Sequence, residues 1–218
     1  PTKPAPSRAA VRVILSDIHA NLEALTAVLA DIDRRGIRSV YTLGNTVCNG
    51  PDPVACLDHA MRMDATLRSF DDEFLLYQPE DSSGPVGRDV FWMREQVERV
   101  EGPIPTGVRA SFIAGLTASR LEDGVLYVNG SPRNPRREYV FPEDIANQRK
   151  MDRIGALFGN LCFLGRTRVP GVFVHAGGAE WEHLTLADCS NGFDVTGRRV
   201  MCSVRSVGQP RDGDPRAC

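Results

Sequence analysis

Short β-branched runs alternate along the chain with longer segments whose apolar residues recur every three or four positions. That order predicts an α/β fold. "VRVILSD" (11–17) is a compact apolar run ending on Ser-Asp, the signature of a buried strand that delivers a polar loop. "NLEALTAVLADIDRRG" (21–36) places Leu22, Leu25, Val28, Leu29 and Ile32 on one helical face and stops at Gly36. "SVYTLG" predicts a second strand, "DPVACLDHAMRM" a second helix and "ATLRSF" a third strand. This β-α-β-α-β order implies a sheet with right-handed crossovers and helices packed outside it.

The second half is less regular. Residues 71–88 predict a short helix giving way to a polar loop, and "VFWMREQVERV" (90–100) an amphipathic helix. "PIPTGVRASFIAGLTASRLEDG" (103–124) reads as a linker followed by strand-like or short helical material. "VLYVNGSP" predicts a strand and loop. "EDIANQRKMDRIGALFG" (143–159) predicts one helix with Glu143 and Asp144 in its first turn, where the helix dipole favours carboxylates. "LCFLG" and "GVFVHAG" predict strands, and "EHLTLADC", "FDVTG" and "RRVMCSV" short antiparallel strands.

Ligands of open α/β sheets bind outside the carboxyl ends of the strands. Here those ends are Asp17-Ile18-His19, Gly44-Asn45-Thr46, Ser69-Phe70-Asp71-Asp72, Asn129-Gly130-Ser131 and Gly165-Arg166-Thr167-Arg168. If the strands align, these loops form one site.

Composition narrows the class. With 218 residues and 42% hydrophobic content, one sizeable core is the default. A net charge of -2, with acids and bases interspersed, points away from a nucleic-acid or membrane surface. No apolar stretch approaches the ~20 residues of a membrane span. "PTKPAPSRAAVR" is polar and Pro-rich, so residues 1–10 read as a flexible lead rather than a signal peptide, and 11–218 as one domain. None of the six cysteines forms a CxxC pair, which implies reduced, mostly buried thiols in the cytoplasm.

The strand-end loops occur in six ordered motifs: "SDIHANLEAL", "LGNTVCNGPDPVACLD", "SFDDEF", "NGSPRNPRREYVFP", "GRTRVPGVF" and "RSVGQPRDGDPRAC". Together they resemble the calcineurin-like metallophosphoesterase superfamily, in its small bacterial and archaeal phosphodiesterase-like branch, across about residues 11–218. The resemblance implies a four-layer α/β/β/α sandwich, two mixed β-sheets face to face with helices outside. It implies loops that hold two metal ions, commonly manganese, iron, zinc or nickel. Such a pair clamps a phosphate ester and activates a water for in-line attack.

Carried over position by position, the resemblance places two first-site metal ligands on Asp17 and His19, both intact. The bridging aspartate falls on Asn45, the second-site asparagine on Phe70, and the catalytic histidine on Asp71. The histidine before Gly-Ser-Pro falls on Asn129, and the two histidines of a Gly-His-Thr-His loop fall on Arg166 and Arg168. The turn-setting glycines and prolines around them persist. The expectation is therefore a pseudoenzyme: no dinuclear centre, no catalytic residue, and a structural, scaffold or regulatory role. No cofactor is expected; a residual site would be a single divalent metal (Mn, Fe, Zn or Ni) on Asp17, His19 and Asn45. The alternatives are an active phosphoesterase with an atypical centre, and a phosphate- or nucleotide-binding module built on Arg166, Arg168 and Arg211.

Arg166 and Arg168 are expected to pair internally with Asp17, Asp71, Asp72 and Glu73, because an unpaired buried charge is too costly. An anionic ligand is the other candidate, since guanidinium forks bind phosphate bidentately. Asp71-Asp72-Glu73 reads as an ordinary helix N-terminus. Cys48 lacks a histidine partner, His175 reads as structural, and His59 and His183 as surface residues. The resemblance also implies a further strand or two after "GQPRDGDPR"; with the chain ending at Cys218, a sheet edge is expected that another chain or a second copy covers.

Overall fold

The computed structural model describes residues 11–76, 85–99, 104–178, 180–214 and 216. The expected flexible lead at 1–10, most of the polar loop after residue 76, and Cys218 lie outside the described residues. The first sheet is parallel, in the order β1 (Arg12–Leu15), β2 (Ser39–Thr42), β3 (Ala65–Thr66). Its crossovers are α1 (Leu22–Arg34), capped by the Asn21 side chain, and α2 (Pro53–Ala60). After the short α3 (Phe70–Glu73) come α4 (Pro85–Glu98) and α5 (Val108–Gly115).

The second sheet uses β4 (Ser119–Glu122), β5 (Val125–Val128), β6 (Leu161–Leu164), β7 (Gly171–His175), β8 (Glu182–Leu184) and β9 (Arg199–Ser203). Its order is β4-β5-β6-β9-β7-β8, and it is mixed: β5, β6 and β9 run parallel, while β4, β7 and β8 join antiparallel to their neighbours.

The two sheets face each other. Tyr41, Leu43, Ala65 and Leu67 from the first meet Tyr127 and Phe163 from the second. On the outer face of the first sheet, Leu25 and Ile32 of α1 and Cys56 of α2 pack against Leu15 and Val13. On the outer face of the second, α6 (Gln148–Gly155) buries Met151 and Ile154 against Val128, Cys162, Leu164, Phe173 and Met201. Helix, sheet, sheet, helix is the expected four-layer sandwich. Helices α2, α4 and α5 form a side cluster through Leu57, Val90, Met93, Val97 and Ile113. Among the described residues no helix is long and apolar enough to cross a membrane.

Several local expectations change. The helix expected over 143–159 divides into a 3-10 turn at Pro142–Ala146 and α6, because the Asn147 side chain accepts from the Lys150 amide and caps a new start. α4 begins earlier than its hydrophobic pattern suggested, at Pro85; proline suits a first helical turn that needs no backbone donor. Only Glu182–Leu184 of "EHLTLADC" is a strand. Asp188 then accepts from the Thr185 amide and hydroxyl and turns the chain, and "FDVTG" forms no strand. β9 is antiparallel to β7 but parallel to β6. Among the described residues it lies inside the second sheet, whose edges are β4 and β8. β1 borders a groove of about 530 Å³ in which Val13, Leu15, Val28 and Val207 meet the charged Asp31, Arg35, Arg205 and Arg216. His183 is half-buried: its ring lies 4.8 Å from Phe173, and burial pulls its pKa below the ordinary value.

Candidate functional site

The strands do align, and their carboxyl ends gather the loops singled out in the sequence. Asp17, His19, Asn45, Arg166 and Arg168 all sit in the left-handed backbone region, with φ between 51 and 62°. Non-glycine residues there cost about 1–3 kcal/mol each where the surroundings hold them, and such strain gathers at functional sites. Two close approaches lock the loops together. A Cβ on Gly165 would fall 2.1 Å from the Ser16 hydroxyl, and one on Gly208 would fall 1.8 Å from the Ile18 carbonyl oxygen. The Ile18 loop is further tied by the amides of Val207 and Gly208, which donate to the Ser16 and Asp17 carbonyls.

Asp17 is fully buried and is the hub. Its Oδ1 accepts from Asn45 Nδ2 at 2.6 Å, and its Oδ2 accepts from the Ser16 hydroxyl at 2.6 Å and the Arg166 backbone amide at 3.0 Å. His19 Nε2 lies 3.4 Å and Arg168 Nε 3.7 Å from Oδ1. Burial pushes the Asp17 carboxyl up, but His19, Ser16 and Asn45 outweigh it and hold the net value below the ordinary one. Asn49 Nδ2 meets His19 Nδ1 at 3.0 Å and also reaches Gln209, which accepts from Arg168. Asn49 at Nδ1 leaves Nε2 as the ring atom turned toward Asp17.

Arg168 is 8% exposed; burial lowers its pKa while Asp17 opposes that. Arg166 Nη1 lies 3.8 Å from Asp71, whose carboxyl burial raises and Arg166 lowers, with the net value raised. Both arginines thus face carboxylates, as expected. Asp72 and Glu73 differ. Asp72 accepts from the amides of Asn45, Thr46 and Ser69 at 2.9, 2.9 and 3.1 Å and from the Ser69 hydroxyl at 2.7 Å, so backbone donors neutralise it and no arginine is needed. Glu73 pairs instead with Arg136 and Arg68. Reading the acidic run as a plain helix N-terminus missed this clamp. The signal was present: Ser69 and Asp72 have capping-box spacing.

Phe70 packs on Phe74 at 4.9 Å, with Arg137 over its ring at 4.1 Å. Arg166 lies over Tyr139 at 4.6 Å, and the exposed Arg211 over the same ring at 5.7 Å. Tyr139, Gln209, Ser16 and Asn49 belong to the site and were not foreseen. Gln209 and Tyr139 both lie in motifs that pointed there, "RSVGQPRDGDPRAC" and "NGSPRNPRREYVFP". Asn129 is fully buried beside Gly165. Cys48 is buried, and burial, then Asp72 and Asp71, push its thiol well up.

The donor set is a poor match for two metal ions. Asp17, His19 and Asn45 supply metal-ligating atoms, Phe70 supplies none, and guanidinium groups cannot ligate because they stay protonated. Among the described residues no group of three or more His, Cys, Asp or Glu side chains is placed to hold a metal.

The layered sandwich is that of the calcineurin-like metallophosphoesterase fold. No family model matches the chain. It is similar to the crystal structure of a metallophosphoesterase from Sphaerobacter thermophilus, with a TM-score of 0.71 and 28% identity over 94% of this chain and 80% of that one. It is 27% identical over 211 residues to the uncharacterized protein MJ0912 of Methanocaldococcus jannaschii, covering 94% of this chain and 79% of that protein. The hypothetical protein PH1004 from Pyrococcus horikoshii OT3 shares the fold at a TM-score of 0.61 and 16% identity.

Proposed function

We propose that this metallophosphoesterase-fold protein holds no dinuclear metal centre and does not hydrolyse phosphoesters through one, acting instead as a structural, scaffold or regulatory subunit. The observation that carries the reading is Arg168, whose Nε lies 3.7 Å from the hub carboxylate of Asp17. A dication about 4 Å from that guanidinium would meet a repulsion of roughly 8 kcal/mol at an effective dielectric of about 20, an upper-end figure. Arg166 adds a second fixed charge beside Asp71. The five described cysteines are free thiols, which supports a reducing, cytoplasmic setting. Bis(p-nitrophenyl) phosphate with added Mn²⁺ is the test: p-nitrophenol release stays at the blank rate, whereas turnover abolished by EDTA overturns the proposal.

One observation favours a second reading. Asn45 Oδ1 and His19 Nε2 are both buried without a hydrogen-bond partner and both flank Asp17. These two atoms and the Asp17 carboxylate make three ligands with an open position, which suits a single divalent ion. On that reading one equivalent of metal binds and Asn45→Leu removes it; on ours neither variant nor wild type holds metal.

A further inference from the structure

We infer that β4 is a self-pairing edge: two copies of the chain join antiparallel through Ser119–Glu122, so that their six-stranded sheets run into one across a two-fold axis at Leu121. Nothing in this pairing depends on what the strand-end loops hold. β4 ends the second sheet, and all four of its residues are exposed or half-exposed. Leu121 is 71% exposed, more than any other described large hydrophobic side chain. An open strand edge is a template for a further strand, and proteins usually blunt it with proline, lysine or a bulge. β4 contains none of these, and its register with β5 runs unbroken from Ser119 opposite Val128 to Glu122 opposite Val125.

The hairpin decides which backbone groups face outward. Asp123 and Gly124 make a two-residue turn with φ of 51 and 78°, both positive as the tight hairpin turn of this length requires. Glu122 and Val125 flank that turn and exchange ladder hydrogen bonds. In an antiparallel ladder such pairs alternate, so Arg120 and Tyr127 form the next one. Leu121 therefore turns its N–H and C=O away from β5. Two copies related by a two-fold axis exchange those bonds, Leu121 of one with Leu121 of the other.

The sequence of β4 is complementary to itself in that register. Arg120 of each copy falls opposite Glu122 of the other, which gives two opposite-charge cross-strand pairs. A slip of one residue sets Arg120 against Leu121 and loses both. Arg120 and Glu122 share the face turned to Tyr41, whose hydroxyl donates to Glu122 at 2.8 Å. Leu121 points to the other face, in register with Leu126, which packs on the core beneath α6. Paired Leu121 side chains thus extend that apolar layer instead of standing in water. The other described edges fit less well: β8 has three residues, β3 has two, and the groove beside β1 carries Asp31, Arg35, Arg205 and Arg216. Four residues a side bury well under the roughly 1,600 Å² of a standard interface, so the dimer is reversible.

Sedimentation velocity of the full chain over a concentration series tests this. Wild type is expected to show a monomer–dimer equilibrium. Leu121→Lys and Arg120→Glu, each of which sets like charges against one another across the axis, are expected to weaken it by about ten-fold or more. Melting temperature confirms the fold of each variant. Glu122→Arg is expected to fail in the same way on its own, yet an equimolar mixture of the Arg120→Glu and Glu122→Arg proteins restores the dimer, because every facing pair is then of opposite charge. If Glu122→Arg does not fold, Leu121→Lys and Arg120→Glu still decide. A wild type that stays monomeric at every concentration overturns the inference, whether the lead at 1–10 or a different protein covers β4. So does a dimer that Leu121→Lys and Arg120→Glu leave unmoved, or a folded mixture that stays monomeric.

Discussion

Asp17 shows how a fully buried carboxylate is compensated by its neighbours. A buried carboxylate needs compensation, and here it comes from a hydroxyl, an amide side chain, a backbone N–H and a guanidinium. Arg168 is the longest of these contacts, so removing it leaves Asp17 partly compensated. Arg168→Met is expected to destabilise by about 1–3 kcal/mol, less than the full cost of breaking a tight buried pair. In an Asp17→Asn background the same change should cost about 1 kcal/mol less, as a double-mutant cycle by urea denaturation reports. Additive effects would mean that the two side chains do not interact. This pairing was legible in the sequence, because charge balance in a buried site constrains partners strongly. The amide clamp on Asp72 was less so, since its donors are backbone groups that residue identity does not reveal.

At the scale of elements, the loops carry the account. Gly208 passes so close to Ile18 that a methyl group has no room, and Gly208→Ala is expected to lower stability by about 1–3 kcal/mol by displacing the loop that carries Asp17 and His19. Thermal melting reads this, and an unchanged melting temperature would mean that the two loops separate freely. The 131–138 loop is held by Ser131 and Arg133 on Glu138. Burial raises the Glu138 carboxyl, but Arg133 and Ser131 outweigh it and hold it below its usual 4.5. A carboxyl with a lowered folded pKa stabilises above its unfolded value and loses that contribution as pH falls through the folded one. Wild type should therefore out-melt Glu138→Gln at neutral pH, with the gap closing below pH 4.5. A gap constant with pH would contradict the pairing. Periodicity read the early β-α-β-α-β elements well. It failed at 142–155, where a side-chain cap rather than hydrophobic spacing decides the break, and after Leu184, where a turn ends a strand-like run.

Across the whole molecule, the four layers follow from one apolar stripe per helix and two facing sheets, neither of which depends on the chemistry at the strand ends. Fold and site chemistry are thus separable: packing of Tyr41, Leu43, Tyr127 and Phe163 holds the sheets together whatever the loops bind. Replacing Asn45→Asp, Phe70→Asn, Asp71→His, Asn129→His, Arg166→His and Arg168→His together is expected to restore metal affinity on the same scaffold. That separability makes metal stoichiometry decisive. Elemental analysis of the wild-type protein after incubation with excess Mn²⁺ and desalting is expected to find no stoichiometric metal, while the six-fold variant retains it; close to two equivalents of metal on the wild type would contradict the account.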